Sequence, residues 1–202
     1  MSTTATSSPP TLYFGYGSNL WLHQMSTRCP SSAYLGIARL DAYKWIINER
    51  GYANIVSATP SDHVYGLIFS LTPTDEHHLD KNEGVPLAYT KEHLPCTFWA
   101  GTSDRKIDVT RPPSETEKSV LVYIDRKRVT EGVPREEYVY RMNRGIEDAV
   151  RCGVPEGYVR DFMRGFIPED NGGEEEGGEE GGVGEFAKRQ AAGFRDESGV
   201  IE

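Results

Sequence analysis

The sequence predicts an α+β fold, a small mixed β-barrel with a few flanking helices and a disordered acidic C-terminal tail. Three observations predict it. Seven short runs rich in β-branched and aromatic residues crowd the first two thirds of the 202-residue chain, a density that fits a barrel or strongly curved sheet. Helical signals are fewer but carry clear caps. Past Pro168 a Gly/Glu-rich stretch cannot bury enough apolar surface to offset its ordering entropy.

The elements follow in order. Residues 1–10 are rich in Ser, Thr and Pro, lack a basic start and an apolar core, and read as a flexible leader, not a secretory signal. Residues 11–168 suffice for one domain with its own core. Its β-type runs are Thr11–Phe14, Ala33–Leu40, Tyr43–Asn48, Ala53–Ala58, Val64–Leu71, Thr90–Trp99 and Ser119–Ile124. Thr72-Pro73-Thr74-Asp75 supplies an N-cap threonine, a proline at the first helical position and an acid, opening a helix that runs toward Glu83 and stops at Gly84. A second helix runs from near Pro134 to Gly153, with Tyr138, Met142, Ile146 and Ala149 or Val150 on one face. Pro155 and Gly165 bracket a third. Residues 169–202 form the tail, with transient helix over Glu185–Arg195.

The formal charge of −9 comes from 31 acids against 22 bases. Residues 169–182 hold seven acids and no base, whereas residues 1–168 hold 20 acids and 19 bases. The acidity is therefore local, and truncation after Pro168 is expected to leave any chemistry intact. A near-neutral body without clustered bases gives no footprint for nucleic acid. Cys29, Cys96 and Cys152 are odd in number and widely spaced, which fits neither a disulfide framework nor a C-x-x-C site. With no apolar run of roughly eighteen residues for a membrane span, the expected location is cytoplasmic.

The most unusual segment is Tyr13-Phe14-Gly15-Tyr16-Gly17-Ser18-Asn19. It reads as strand, tight loop and helix start. Glycines let backbone approach a ligand closely, and N–H groups at a helix start can hold an oxygen. The plainer reading is a glycine turn with Ser18 or Asn19 capping a helix. A dinucleotide fingerprint would need glycine where Leu20 stands, and a nucleophile elbow would need serine between two glycines, so neither motif is present. His23, His63, His77, His78 and His93 show no metal-ligand spacing. In Leu79-Asp80-Lys81-Asn82-Glu83-Gly84-Val85, Glu83 falls at a helix C-terminus, where the macrodipole disfavours negative charge. If sheltered, its pKa should rise, which suits a carboxyl that takes up and returns a proton. A solvated glutamate at a helix end is the plain alternative.

The order and spacing of these two motifs resemble the γ-glutamylcyclotransferase family and its wider AIG2-like superfamily. Ala38-Arg39-Leu40-x-x-Tyr43, Val64-Tyr65-Gly66-Leu67-Ile68-Phe69, Pro134-x-x-x-Tyr138 and Gly153-Val154-Pro155-x-x-Tyr158 extend the likeness from Tyr13 to about Arg164. Gly15, where alanine is common, Pro86-Leu87-Ala88 and the short tyrosine-rich region around Gly51-Tyr52-Ala53 are departures; the last two could reshape the mouth of the pocket, and they bear on the substrate more than on the reaction. The resemblance implies a small mixed α/β barrel and release of 5-oxoproline from a γ-glutamyl compound, without metal or cofactor. It places the catalytic glutamate on Glu83 and the substrate-binding loop on Tyr13, Phe14, Gly15, Tyr16, Gly17 and Ser18. A further substrate contact falls on Tyr138, with Tyr140 nearby as the alternative; Tyr89 ranks last. The loop N–H groups of Gly15 to Ser18 would hold a carboxylate or oxyanion. Open alternatives are a γ-glutamylamine or γ-glutamyl secondary-metabolite substrate, and a non-catalytic AIG2-like binding module. The partner is a small γ-glutamyl molecule, not nucleic acid or membrane, and oligomeric state is not readable.

Overall fold

The structure is a computed structural model that describes residues 9–170 and 180–193. The seven expected runs are its seven strands: β1 Thr11–Gly15, β2 Ala33–Asp41, β3 Tyr43–Ile47, β4 Ala53–Ser57, β5 His63–Leu71, β6 Thr90–Ala100 and β7 Glu115–Ile124. Five of them close a barrel in the order β1-β5-β2-β6-β7, while β3 and β4 form a separate hairpin. Neighbours are antiparallel except β1 and β7, which close the barrel in parallel at Tyr13 and Leu121. Register shifts in β2 and β6 mark the irregularities through which so small a sheet bends back on itself.

Burial explains the near-continuous apolar character of the central strands. Val64 to Phe69 is buried without a break. Alternate side chains of a strand point to opposite faces, so both faces of β5 must be covered. Phe14, Ile37, Leu67, Ile68, Val120, Leu121 and Val122 belong to the resulting core.

The helices are placed by their ends. Helix α1 covers Leu22–Arg28 after a 3-10 turn at Ser18–Leu20, and α2 covers Pro73–Asn82. The Thr72 side chain accepts from the Asp75 N–H while the Asp75 carboxylate accepts from the Thr72 N–H, which fixes where α2 begins. At the other end Glu83 is the C-cap, and Gly84 takes φ +61°, the left-handed conformation that ends helices most cheaply with glycine. Helix α3, Glu136–Cys152, buries Tyr138, Met142, Ile146 and Ala149, as its 3.6-residue periodicity requires. The bracketed third segment is a short helix α4, Glu156–Tyr158, that continues as a π-helical turn over Val159–Met163.

The described part of the tail holds a helix that overlaps the transient one expected over Glu185–Arg195. Residues 180–192 form helix α5, which packs against α1 and α3 with Ala187, Gln190 and Ala191 buried. Those three positions share one helical face. Two alanines add little to the apolar count, so composition alone reads the segment as solvated, yet their small size lets α5 lie close to its neighbours. The most acidic part of the stretch, residues 171–179, and residues 194–202 lie outside the described residues, as does most of the leader. Cys29, Cys96 and Cys152 are separate, buried free thiols. Among the described residues no helix is long and apolar enough to cross a membrane, and no cluster of His, Cys, Asp and Glu could hold a metal ion.

Candidate active site

Strand β1 delivers the glycine-containing loop to one end of the barrel, where it meets the C-terminal end of α2. Between them lies a cleft with about 470 Å³ of space counted to its open mouth. Six tyrosines line it, Tyr13, Tyr16, Tyr52, Tyr89, Tyr123 and Tyr138, together with Gly17, Ser18, Asn19, Ala53, Asn82, Glu83, Arg28 and Arg141.

Glu83 is half-buried, its carboxyl opening onto the cleft. Burial pushes its pKa above the ordinary carboxylate value, and Arg28, the Asn19 hydrogen bond, Arg50 and Arg141 only partly counter it. The Asn19 amide Nδ2 donates to Glu83 Oε1 at 3.0 Å and to the Tyr13 hydroxyl at 2.8 Å. Asn19 Oδ1 accepts from Gln24 Nε2 at 2.7 Å and from Arg28 Nη1 at 3.1 Å. Asn19 makes no capping bond at either helix start, so the plain helix-cap reading fails. Its amide faces the carboxylate instead.

Tyr138 comes from the first turn of α3. Its hydroxyl oxygen accepts from the Ser18 N–H and the Ala53 N–H, both at 3.2 Å. With both lone pairs occupied, its own proton is directed to whatever acceptor enters the cleft. Burial raises its pKa, so the hydroxyl stays protonated. Tyr140 instead packs edge-on against Trp21, away from the cleft lining. Gly17 packs against this group with no room for a side chain: a Cβ there would lie 2.8 Å from Tyr138 Oη and 3.1 Å from Ala53 Cβ.

Arg141, one helical turn from Tyr138, grips Glu137 with Nε at 2.8 Å and Nη2 at 3.0 Å, and gives Nη1 to Ser18 Oγ at 3.0 Å. Ser18 Oγ also accepts from Gln24 Nε2 at 3.0 Å. On the far side Tyr89 donates to the Ala53 carbonyl at 2.9 Å, and the Arg50 guanidinium lies 4.7 Å from its ring centre. Burial holds the Tyr13, Tyr16 and Tyr89 hydroxyls far above their usual pKa, so the wall is one of neutral O–H groups. Tyr16 donates to the Tyr123 carbonyl at 2.6 Å, and Tyr123 donates to Asp80 at 2.7 Å.

Of the residues expected at the site, Tyr13, Tyr16, Gly17, Ser18, Glu83 and Tyr138 line the cleft; Phe14 and Gly15 do not. Tyr13 and Phe14 are successive strand residues and point to opposite faces. Phe14 therefore enters the core, and Gly15 pairs with Leu67 inside the barrel sheet. Sequence reasoning marked the tyrosine-rich segment at Gly51-Tyr52-Ala53 as bearing on the mouth of the pocket, but did not single out Arg28, Tyr123 or Arg141. Arg141 carried a signal: a cation three residues after Tyr138, on the buried face of an amphipathic helix, needs a partner inside. Arg28 carried none.

The closed barrel, with a tyrosine-walled cleft and a sheltered carboxyl at a helix end, defines an α+β barrel protein. A family model described as "Gamma-glutamyl cyclotransferase, AIG2-like" matches residues 13–149. The chain belongs to the γ-glutamylcyclotransferase, AIG2-like family. It is similar to a Mus musculus protein named gamma-glutamylcyclotransferase, 32% identical over 173 residues, covering 70% of this chain and 88% of that protein. A Bos taurus protein of the same name is 24% identical over 170 residues with the same coverage. A solved structure titled "Gamma-glutamyl cyclotransferase" superposes with a TM-score of 0.61 at 23% identity, over 89% of this chain and 98% of that one. A Homo sapiens structure described as an uncharacterized protein gives 0.64 at 23% identity, over 90% and 99%. Those two likenesses speak to the fold.

Proposed function

We propose that the cleft cyclises a γ-glutamyl amino acid or peptide, releasing 5-oxoproline and the free amine or amino acid, with Glu83 as the proton carrier. The observation that carries this reading is a single carboxyl with a raised pKa, held by Asn19 at the end of α2 and facing neutral hydroxyls. The family supports the same reaction class.

The substrate's α-amine attacks its own γ-carbonyl carbon, so nucleophile and electrophile are tethered and much of the entropy cost is already met. At neutral pH the amine is an ammonium ion and must lose a proton first. Glu83 takes it. The nitrogen–carbon bond forms, the carbonyl becomes an oxyanion, and collapse breaks the bond to the departing nitrogen. Protonated Glu83 returns its proton to that nitrogen, and the second proton of the attacking nitrogen, now in the lactam ring, passes by way of the same carboxylate to the released amine, so one carboxyl serves both transfers. The oxyanion or the substrate carboxylate is met by the Tyr138 hydroxyl, whose proton is aimed outward by the Ser18 and Ala53 N–H groups behind it. The loop N–H groups thus act partly through Tyr138. Tyr13, Tyr16, Gly17 and Ser18 shape the floor, and Phe14 and Gly15 support it from the core. No step calls for a metal or cofactor.

The test is a panel of γ-glutamyl amino acids, γ-glutamylamines and glutathione incubated with purified protein, with 5-oxoproline detected by mass. Release from at least one member is expected. No release across the panel, with tight binding of one compound, would replace the enzyme reading with a binding module.

A further inference from the structure

The end of α5 and the catalytic carboxyl candidate are joined through two side chains. Arg28, buried at the end of α1, donates Nε to the Ala191 carbonyl and Nη2 to the Gln190 carbonyl, both at 2.8 Å. These belong to the last turn of α5, whose carbonyls have no partner within their own helix. A cation there also complements the helix dipole. The third donor, Nη1, reaches Asn19 Oδ1, and Asn19 Nδ2 reaches Glu83 Oε1. With Arg28 and Gln24 both donating to Asn19 Oδ1, the amide has only one sensible orientation, its NH₂ toward Glu83 and Tyr13.

We propose that Arg28 is a positioning residue for Glu83, and that α5 is a working part of the site because its C-terminal carbonyls hold the Arg28 fork against Asn19. The inference rests on the reading of Glu83 as proton carrier. Without α5, Arg28 loses two of its acceptors and is free to turn toward solvent, and Asn19 loses one of the two donors that set its amide. On this proposal residues 180–193 belong to the site, in contrast to the expectation that everything past Pro168 is dispensable for chemistry.

The test uses the full chain in two forms. Arg28→Met removes the fork, and the pair Ala187→Gln with Ala191→Gln swells the buried face of α5 without changing charge; proteolytic cleavage within 180–193 reports release of the helix. The readouts are kcat and KM for 5-oxoproline release, and the carboxyl titration of Glu83 in ¹³C-glutamate-labelled protein, assigned by comparison with Glu83→Gln. The charged and titratable groups acting on Glu83 include Arg28, Arg50, Arg141, Tyr13 and Tyr16, and only Arg28 is altered or released. Both variants should lower kcat by about tenfold to a hundredfold with little change in KM, as a small misplacement of a reacting group does. Both should move the Glu83 titration upward. An unchanged titration and unchanged kcat in Arg28→Met, or in the pair once α5 is released, overturns the proposal. If the parent chain releases no 5-oxoproline, the functional reading fails while the titration still decides whether Arg28 and α5 set Glu83.

Discussion

Asn19 and Glu83, 64 residues apart in the chain, meet at 3.0 Å, amide nitrogen to carboxyl oxygen. The contact joins the loop after β1 to the end of α2 and gives the carboxyl a fixed direction. Glu83→Gln keeps the size of the side chain but cannot accept a proton. Release of 5-oxoproline should fall by about a hundredfold to ten-thousandfold, the usual worth of a general acid-base group. A mass-based assay on folded protein checks this, and a fully active variant removes Glu83 from the mechanism.

The pH dependence follows from the same burial. A base must be deprotonated, so kcat should decline as pH falls through the raised Glu83 pKa, on a limb above the ordinary carboxylate range. Stability runs the other way. A group whose folded pKa exceeds its unfolded value of about 4.3 stabilises the fold below that value, and the contribution is lost as pH rises through the folded pKa. Glu83→Gln should therefore raise Tm relative to the parent at neutral pH and lose that advantage at acid pH. Thermal melts at both ends of the range decide it.

How far the sequence discloses this site depends on where each partner lies. Tyr13, Tyr16, Gly17 and Ser18 sit in one short unusual segment, and Glu83 is marked by its position between a capped helix and Gly84. Strand alternation would also have separated Phe14 from Tyr13, since neighbours cannot share a face. Arg28 differs in kind. Two of its acceptors are backbone carbonyls at Gln190 and Ala191, 162 and 163 residues away, and carbonyls leave no trace in residue identity. The barrel was legible because β-rich runs announce themselves one at a time; the docking of α5 was not, because it relies on small side chains and an arginine from another helix.

Gly17 is held to glycine by space, its φ of −106° lying outside the left-handed region. A methyl there meets Tyr138 Oη at 2.8 Å, and crowding of this kind costs roughly 1 to 3 kcal/mol. Gly17→Ala should lower stability and weaken substrate binding. Removing the opposing oxygen should relieve part of the clash, so the double variant Gly17→Ala/Tyr138→Phe should be less destabilised than the sum of its parts. Denaturant unfolding of the four proteins gives the coupling directly, and strict additivity would mean that the two do not press on each other.

Tyr138 and Tyr140 separate the roles of two tyrosines on one helix. Tyr138→Phe strands the Ser18 and Ala53 N–H groups, which lose their shared acceptor. Leaving buried donors unsatisfied costs about 1 to 3 kcal/mol each where water cannot replace the partner; the open cleft admits water, so the loss should fall at the lower end. The same change deletes the proton aimed at the substrate, and kcat/KM for 5-oxoproline release should fall by about a hundredfold, in line with loss of one oxyanion donor at about 3 kcal/mol. Tyr140→Phe keeps the ring that packs on Trp21 at a position outside the cleft lining, so its kinetics should match the parent. Measured side by side, the pair separates a functional hydroxyl from general damage to α3: equal losses in both would place the effect in the helix and take Tyr138 out of the reaction.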